Sequence, residues 1–193
     1  MPQVRQEYKM HPLPSVFLME AMLPDRMVND LNEYLDDLLN QEDRVSHAGT
    51  LVGQIGNGEQ LTMDHTHPKI QEFNELIQCM GADYVKNFAG STVNRFNENR
   101  IVETDECWSV HSYAGDYNPV HDHGTKTLMG ISCTCWTKVP QQILDQPTSG
   151  TSEYGLYNSS GHSDGCINFQ YGQGSLLDTE RLRPPQMVIM KPE

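Results

Sequence analysis

Two segments in the N-terminal half of the chain repeat apolar residues at helical spacing. In residues 25–40 these positions recur every three or four residues and acidic side chains occupy the other face, which predicts an amphipathic helix. A second stripe follows Pro68, a residue that suits the first turn of a helix, and this helix is predicted to end near Gly90. The apolar positions are Val28, Leu31, Leu35 and Leu38 in the first helix, and Ile70, Phe73, Ile77, Met80 and Tyr84 in the second.

The pattern then changes to short segments rich in β-branched and aromatic residues, bounded by Gly, Pro, Asn or Asp, which are typical of strands. A further strand is predicted at residues 14–23, whereas the Gly-rich segment 41–63 is predicted to be a loop or hairpin and the polar segment 141–164 a long surface loop. Two helices followed by strands favour an α+β domain, with helices covering one face of an antiparallel sandwich or barrel. The later strands are predicted at residues 107–113, 127–138, 165–171 and 187–191.

Length and charge narrow the classes of protein. A chain of 193 residues suits one domain spanning residues 1–193. The net charge of −13 argues against nucleic acid or an anionic membrane as a partner, because such binding needs clustered Lys and Arg. It leaves a small-molecule or peptide substrate and homo-oligomerisation open. With no apolar run near 20 residues, no secretory signal and five cysteines without zinc-knuckle spacing, we expect a cytoplasmic protein with free thiols.

Four of the eight histidines form two H-x-H pairs, His65/His67 and His121/His123. Residues at i and i+2 of an extended segment project to the same side, so each pair can bind one transition-metal ion through neutral ring nitrogens. A third ligand must come from elsewhere in the fold. H-x-H alone is a weak signal, and the surroundings of each pair decide between a metal site and a structural role.

The two pairs differ in their surroundings. His65 and His67 come directly before Pro68 and the second helix, where Asp64 or Thr66 can cap the helix, so a structural role is favoured for this pair. His121 and His123 lie between two predicted strands, on the kind of loop where scaffolds carry active sites. We therefore prefer the second pair as metal ligands.

The second pair lies in a segment whose order of motifs resembles that of a known enzyme family. The sequence WSVHSYAGDYNPVHDHGTKTLMGISC at residues 108–133 resembles the first metal-binding strand of the 2-oxoglutarate/Fe(II)-dependent oxygenases, in which an aromatic strand and a Y-x-x-G turn precede H-x-D. It is most similar to an oxygenase family common in phage and marine bacterial genomes, with the pattern W…H-x-H…L-S-G-x-x-Y. GCINFQYG at 165–172 and PPQMVIMKPE at 184–193 resemble later strands, so the resemblance covers about residues 100–193. The matching residues are Trp108, His121, His123, Leu128, Met129 and Gly130.

This resemblance implies a fold, two cofactors and a reaction. The fold would be a double-stranded β-helix (a jelly-roll, cupin-like architecture) with the N-terminal helices packed on one sheet. Fe(II) would be held by His121 and His123, 2-oxoglutarate would be the cosubstrate, and the reaction would hydroxylate a C–H bond of an unidentified substrate. Tyr113 would hydrogen-bond a 2-oxoglutarate carboxylate, as a tyrosine at this place does in some relatives.

Two departures from the family pattern leave alternatives open. His123 stands where most of the superfamily has Asp or Glu, which makes the site less anionic. The distal His and the Arg or Lys for 2-oxoglutarate follow a strand expected after Glu193, so we expect the chain to lack its last strands; His162 is a weaker candidate for the third ligand. The alternatives are a non-catalytic jelly-roll protein, such as a phage structural or accessory protein, and a three-His metal enzyme of cupin type.

Other side chains have less specific interpretations. His111 either lines the proposed pocket or is a packed, hydrogen-bonded histidine. Cys133 and Cys135 lie on one face of a predicted strand and are interpreted as small apolar fillers. Trp108 and Trp136 are predicted to be core residues.

Overall fold

The computed structural model describes residues 8–12, 17–86, 102–121, 130–145, 165–173, 176–182 and 187–192. The chain divides into two compact units, one formed by Met1–Leu23 with Lys126–Glu193 and the other by Pro24–Thr125. Helices and antiparallel strands are both present, which confirms the mixed class. The elements are β1 (Tyr8–Pro12), β2 (Phe17–Met22), α1 (Asp25–Leu39), β3 (Glu59–Thr62), α2 (Gln71–Tyr84), β4 (Trp108–His111), β5 (Ile131–Cys135), α3 (Gln141–Leu144), β6 (Ile167–Gln173), β7 (Leu176–Leu182) and β8 (Met187–Pro192).

The first unit contains a four-stranded antiparallel sheet in the order β1-β2-β8-β5. Strand β8 lies between β2 and β5, and its Met190 is opposite Met19 on one side and Cys133 on the other. Leu18, Met19 and Ala21 of β2 are buried, as the apolar sequence of this strand requires. Strands β6 and β7 pair separately as an antiparallel ribbon.

The second unit contains both long helices. Helix α1 begins after Pro24, whose carbonyl oxygen accepts the Val28 N–H at 3.1 Å, and it buries one apolar stripe. Lys69, in a 3₁₀ turn that precedes α2, lies 2.7 Å from the Asp37 carboxylate of α1. Arg26 of α1 forms an ion pair with Glu72 of α2. The buried residues of the helices are Met27, Val28, Leu31 and Tyr34 in α1, and Met80, Gly81 and Tyr84 in α2.

A two-stranded antiparallel ribbon completes the second unit. Strand β3 pairs with β4 so that Glu59 is opposite His111 and Thr62 is opposite Trp108. Along β4 the side chains alternate, and the polar Ser109 is buried while the apolar Val110 is exposed. Trp108 is 37% exposed, so its prediction as a core residue is wrong. Alternation along β4 places Trp108 on the same outward face as Val110.

The predicted helices are confirmed, with the second helix preceded by the 3₁₀ turn; its predicted end near Gly90 is outside the described residues. Four of the predicted strands correspond to β4, β5, β6 and β8, and the strand at 14–23 contains β2. Strands β1 and β7 were not expected, and β3 falls in the segment at 41–63 that was predicted as loop or hairpin. The first four residues of the predicted loop at 141–164 form α3, and residues 146–164 are outside the described part. The double-stranded β-helix stays a prediction.

Candidate functional site

The segment that follows β4 begins with a tight turn. The Asp116 N–H donates to the Tyr113 carbonyl oxygen at 3.0 Å, and the Tyr113 N–H donates to Asp116 Oδ2 at 2.8 Å. Gly115 has a φ of +91°, a left-handed conformation that a side chain would strain. The Y-A-G-D sequence of residues 113–116 therefore folds into a turn closed at both ends, and the side chain of Tyr113 remains 57% exposed.

A Gly-rich loop at residues 53–58 holds this turn in place. Gln54 and Tyr117 exchange two backbone hydrogen bonds, each of 2.8 Å. Asp116 Oδ1 accepts the Gly56 N–H at 2.7 Å. The N–H groups of Tyr113 and then Gly56 lower the pKa of the Asp116 carboxyl below its ordinary value, because hydrogen bonds of this kind stabilise the anion. Two loops distant in sequence are thereby joined at the candidate site.

His121 is oriented by the backbone of its own segment. Its Nδ1 lies 2.8 Å from the Pro119 carbonyl oxygen. A carbonyl only accepts hydrogen bonds, so Nδ1 carries the proton and the lone pair of the neutral ring is on Nε2. His121 is also exposed. Metal-binding histidines commonly donate one ring N–H to a backbone carbonyl in this way.

The second predicted ligand, His123, is outside the described residues, as are Leu128, Met129 and His162. Within the part of the chain that the structure describes, no three His, Cys, Asp or Glu side chains are grouped closely enough to hold a metal ion. The structure therefore describes one predicted ligand and the turn that precedes it. The donor chemistry of His121 fits a borderline transition metal such as Fe(II).

The first H-x-H pair has a structural environment. His67 Nδ1 accepts the Lys69 N–H at 3.3 Å, and its ring centroid lies 4.7 Å from that of Tyr34. Asp64 Oδ1 accepts both the N–H and the hydroxyl of Thr66. His67 thus caps the 3₁₀ turn, where Asp64 or Thr66 was expected to cap the helix.

His111 is packed on the inward face of the β3–β4 ribbon. Its Nε2 lies 3.0 Å from the Ser109 hydroxyl oxygen. Across the ribbon, Glu59 forms a two-pronged ion pair with Arg44, with Arg44 Nε 2.9 Å from Oε2 and Nη2 2.8 Å from Oε1. Ser109 is 6% exposed, so this Ser–His pair offers no accessible nucleophile. Of the two interpretations of His111, the hydrogen-bonded packed histidine fits this environment.

Three of the described cations are engaged by carboxylates. Arg26 is paired with Glu72, Arg44 with Glu59, and Lys69 with Asp37. A clamp for dianionic 2-oxoglutarate needs a cation directed at the ligand, and these three side chains are directed at protein carboxylates instead. We therefore assign the clamp to none of them.

A shallow cavity of about 210 Å³ lies beside the end of α1 and β3. It contains neither Tyr113 nor His121, so it is separate from the predicted site. Its lining is formed by Leu38, Gln41, Asp43, Arg44, Val45, His47, Leu61 and Thr62.

Cys135 of β5 has the environment of a packing residue. Burial raises the pKa of the Cys135 thiol to about 12. A thiol with so high a pKa is protonated at neutral pH and makes a poor nucleophile. This agrees with the interpretation of Cys135 as an apolar filler.

Sequence reasoning did not predict that Asp116 binds the loop at residues 53–58, and it missed Gln54 and the glycines of that loop. The spacing G-x-x-G-x-G in this loop was the available signal, because clustered glycines often mark a close approach of two backbones.

No helix in the described ranges combines the length and apolar character that crossing a membrane requires. In comparisons with family models, curated proteins and solved structures, nothing matches this chain.

Proposed function

We propose that this chain is a 2-oxoglutarate- and Fe(II)-dependent dioxygenase that hydroxylates a small molecule or peptide, built on a double-stranded β-helix. His121 and His123 are the proposed metal ligands, and Tyr113 is the proposed contact of the cosubstrate. The observation that carries the proposal is the 2.8 Å hydrogen bond between His121 Nδ1 and the Pro119 carbonyl oxygen. It selects the Nδ1–H tautomer, with which a metal would be bound through Nε2.

The bond to Pro119 acts on His121 in two ways. It keeps the proton on Nδ1, so that metal binding at Nε2 requires no proton to leave the neutral ring. It also restrains the rotation of an exposed side chain, which lowers the entropy lost when the ring binds a metal. Both effects favour metal binding at this position over an unrestrained surface histidine.

The exposed side chains close to His121 in the sequence suit a partly apolar ligand. Tyr113, Tyr117 and Val120 are all exposed and lie within nine residues of His121. The Tyr113 phenol can donate a hydrogen bond to a carboxylate, and Val120 can contact an apolar substrate. Bound iron would supply dioxygen activation coupled to decarboxylation of 2-oxoglutarate.

Anaerobic addition of Fe(II) and 2-oxoglutarate tests this proposal by visible absorption. A weak charge-transfer band that needs both additions is expected when the protein tested carries His121, His123, a third metal ligand and the cation that binds 2-oxoglutarate, because the band arises only when iron and 2-oxoglutarate are bound together. The variant His65→Ala is the matched control, since it alters the other H-x-H pair, and it should keep the band.

The remaining outcomes would overturn the proposal in distinguishable ways. Iron binding without the band would indicate a three-His metal enzyme of cupin type. The absence of iron binding would indicate a non-catalytic jelly-roll protein.

A further inference from the structure

We propose that Asp116 is the positioning residue of His121, and that it acts by fastening the segment before His121 to the Gly-rich loop at residues 53–58. This inference deepens the proposed function, because it names the group that presents the metal ligand. Asp116 does not itself contact a metal or a substrate in this account. Its role is to hold the backbone that leads to Pro119, because the carbonyl oxygen of Pro119 orients the His121 ring.

The carboxylate of Asp116 is the point at which two loops meet. One oxygen accepts the Gly56 N–H at 2.7 Å, and the other accepts the Tyr113 N–H at 2.8 Å. The N–H groups of Asn57 and Gly58 also favour the anion. Several backbone donors converging on one carboxylate form an anion-binding nest, here filled by a side chain of the same protein.

The glycines of the loop at residues 53–58 allow this loop to approach the backbone of residues 117–118 closely. A Cβ atom on Gly53 would lie 2.2 Å from the Tyr117 carbonyl oxygen and 2.8 Å from Asn118 Cα. Backbone atoms cannot move aside as a flexible side chain can, so only glycine fits here without a shift of one loop. The backbone at residues 117–118 is therefore held directly against the Gly-rich loop.

The constraint extends along the chain to His121. Residues 116–118 are fixed by Asp116 and by the paired backbone groups of Gln54 and Tyr117. The next residue is Pro119, whose ring fixes φ, and its carbonyl oxygen accepts the His121 Nδ1 proton. Few free torsions remain between the fastened turn and this carbonyl. Loss of the Asp116 carboxylate should therefore release the carbonyl that sets the His121 tautomer.

The test compares Asp116→Asn with Asp64→Asn. Asp64 is a matched control because it also accepts local hydrogen bonds that lower its pKa, but its bonds go to Thr66. Two quantities are measured: the His121 tautomer in the metal-free protein, by long-range ¹H–¹⁵N NMR, and the anaerobic Fe(II) affinity.

In Asp116→Asn we expect a smaller fraction of the Nδ1–H form and a loss of about 10–100-fold in Fe(II) affinity, as for other groups that orient a ligand. Asp64→Asn should change neither quantity. Should Asp116→Asn fail to fold, Gly56→Pro removes the facing N–H while keeping the carboxylate, and the same changes are expected.

An unchanged tautomer in the folded Asp116 and Gly56 variants would overturn the positioning role. An unchanged Fe(II) affinity with a wild type that binds iron would overturn it as well. A wild type that binds no Fe(II) would overturn the proposed function instead, and the tautomer measurement, made without metal, would still decide the role of Asp116.

Discussion

Gly58 lies so close to Asp116 that a Cβ atom placed on it would be 2.5 Å from the carboxylate oxygen Oδ2. The same atom would lie 2.5 Å from the carbonyl oxygen of His111, at the end of β4. Gly58 is thus enclosed by the backbone that leads into the candidate site and by the carboxylate that fastens it. Through this contact the Gly-rich loop at residues 53–58 helps to set the orientation of His121, the proposed metal ligand.

Gly58→Ala should lower the free energy of unfolding by about 1–3 kcal/mol, the usual effect of forcing a methyl group into a filled space. Gly49→Ala is the matched control, because a Cβ atom there would have no atom within 4 Å. It should leave stability unchanged or raise it by up to about 1 kcal/mol by restricting the unfolded chain. Urea unfolding of both variants measures the difference, and equal effects would contradict the close approach at Gly58.

Glu59 should make stability depend on pH through its ion pair with Arg44. The Arg44 hydrogen bond lowers the Glu59 pKa below its ordinary value of 4.5. A carboxyl whose pKa is lower in the folded state stabilises the fold above the unfolded-state pKa, and this contribution disappears as pH falls through the folded-state pKa. We therefore expect Glu59→Gln to be less stable than wild type at neutral pH, with the gap narrowing below about pH 4.5. A gap that stays constant in urea unfolding across this range would contradict the prediction.

Tyr34→Phe should remove one hydrogen bond and little else. The Tyr34 hydroxyl oxygen accepts the Asp64 N–H at 2.9 Å, and the residue is 7% exposed. Phe keeps the ring that packs beside His67 but leaves this N–H without its acceptor, which costs about 1 kcal/mol. The exposed Tyr117→Phe is the stability control and should stay within about 0.5 kcal/mol of wild type. Thermal unfolding that ranks the two variants equally would argue against the bond.

Both long helices could be predicted because helical periodicity is local. The helical spacing of apolar residues in 25–40 predicts a helix without knowledge of any distant contact. Helix α1 ends at Leu39, within one residue of the prediction. Strand β3 is harder to predict because it has four residues, EQLT, with no apolar alternation. It is stabilised by its partner β4, which the sequence near it does not reveal.

The local sequence also does not reveal which face of β4 is buried. Alternation in WSVH predicts a strand and favours Trp108 and Val110 as the buried side, yet Ser109 is buried and Val110 is exposed. The choice of face depends on pairing with β3, which is a non-local contact. For the candidate site, His121 could be identified from its motif. Its link to the loop at 53–58 could not, because Asp116 and Gly56 are 60 residues apart.

Cys135 should react slowly with iodoacetamide in the native protein. Burial raises its pKa to about 12, so very little reactive thiolate is present at neutral pH. Cys79 is exposed and provides an internal reference. Peptide mapping by mass spectrometry should find Cys79 modified first, with the two rates converging in denaturant. Equal rates in the native protein would contradict the buried thiol.

Anaerobic Fe(II) titration of wild type, His121→Ala and His65→Ala tests the role of His121 as a metal ligand most directly. Removing a ligand should weaken binding more than removing a group that only orients one, so we expect His121→Ala to lose more than about 100-fold in affinity. His65→Ala should bind iron as wild type does, since it alters an H-x-H pair beside a helix cap. If His121→Ala binds Fe(II) with wild-type affinity, the role of His121 as a metal ligand is contradicted.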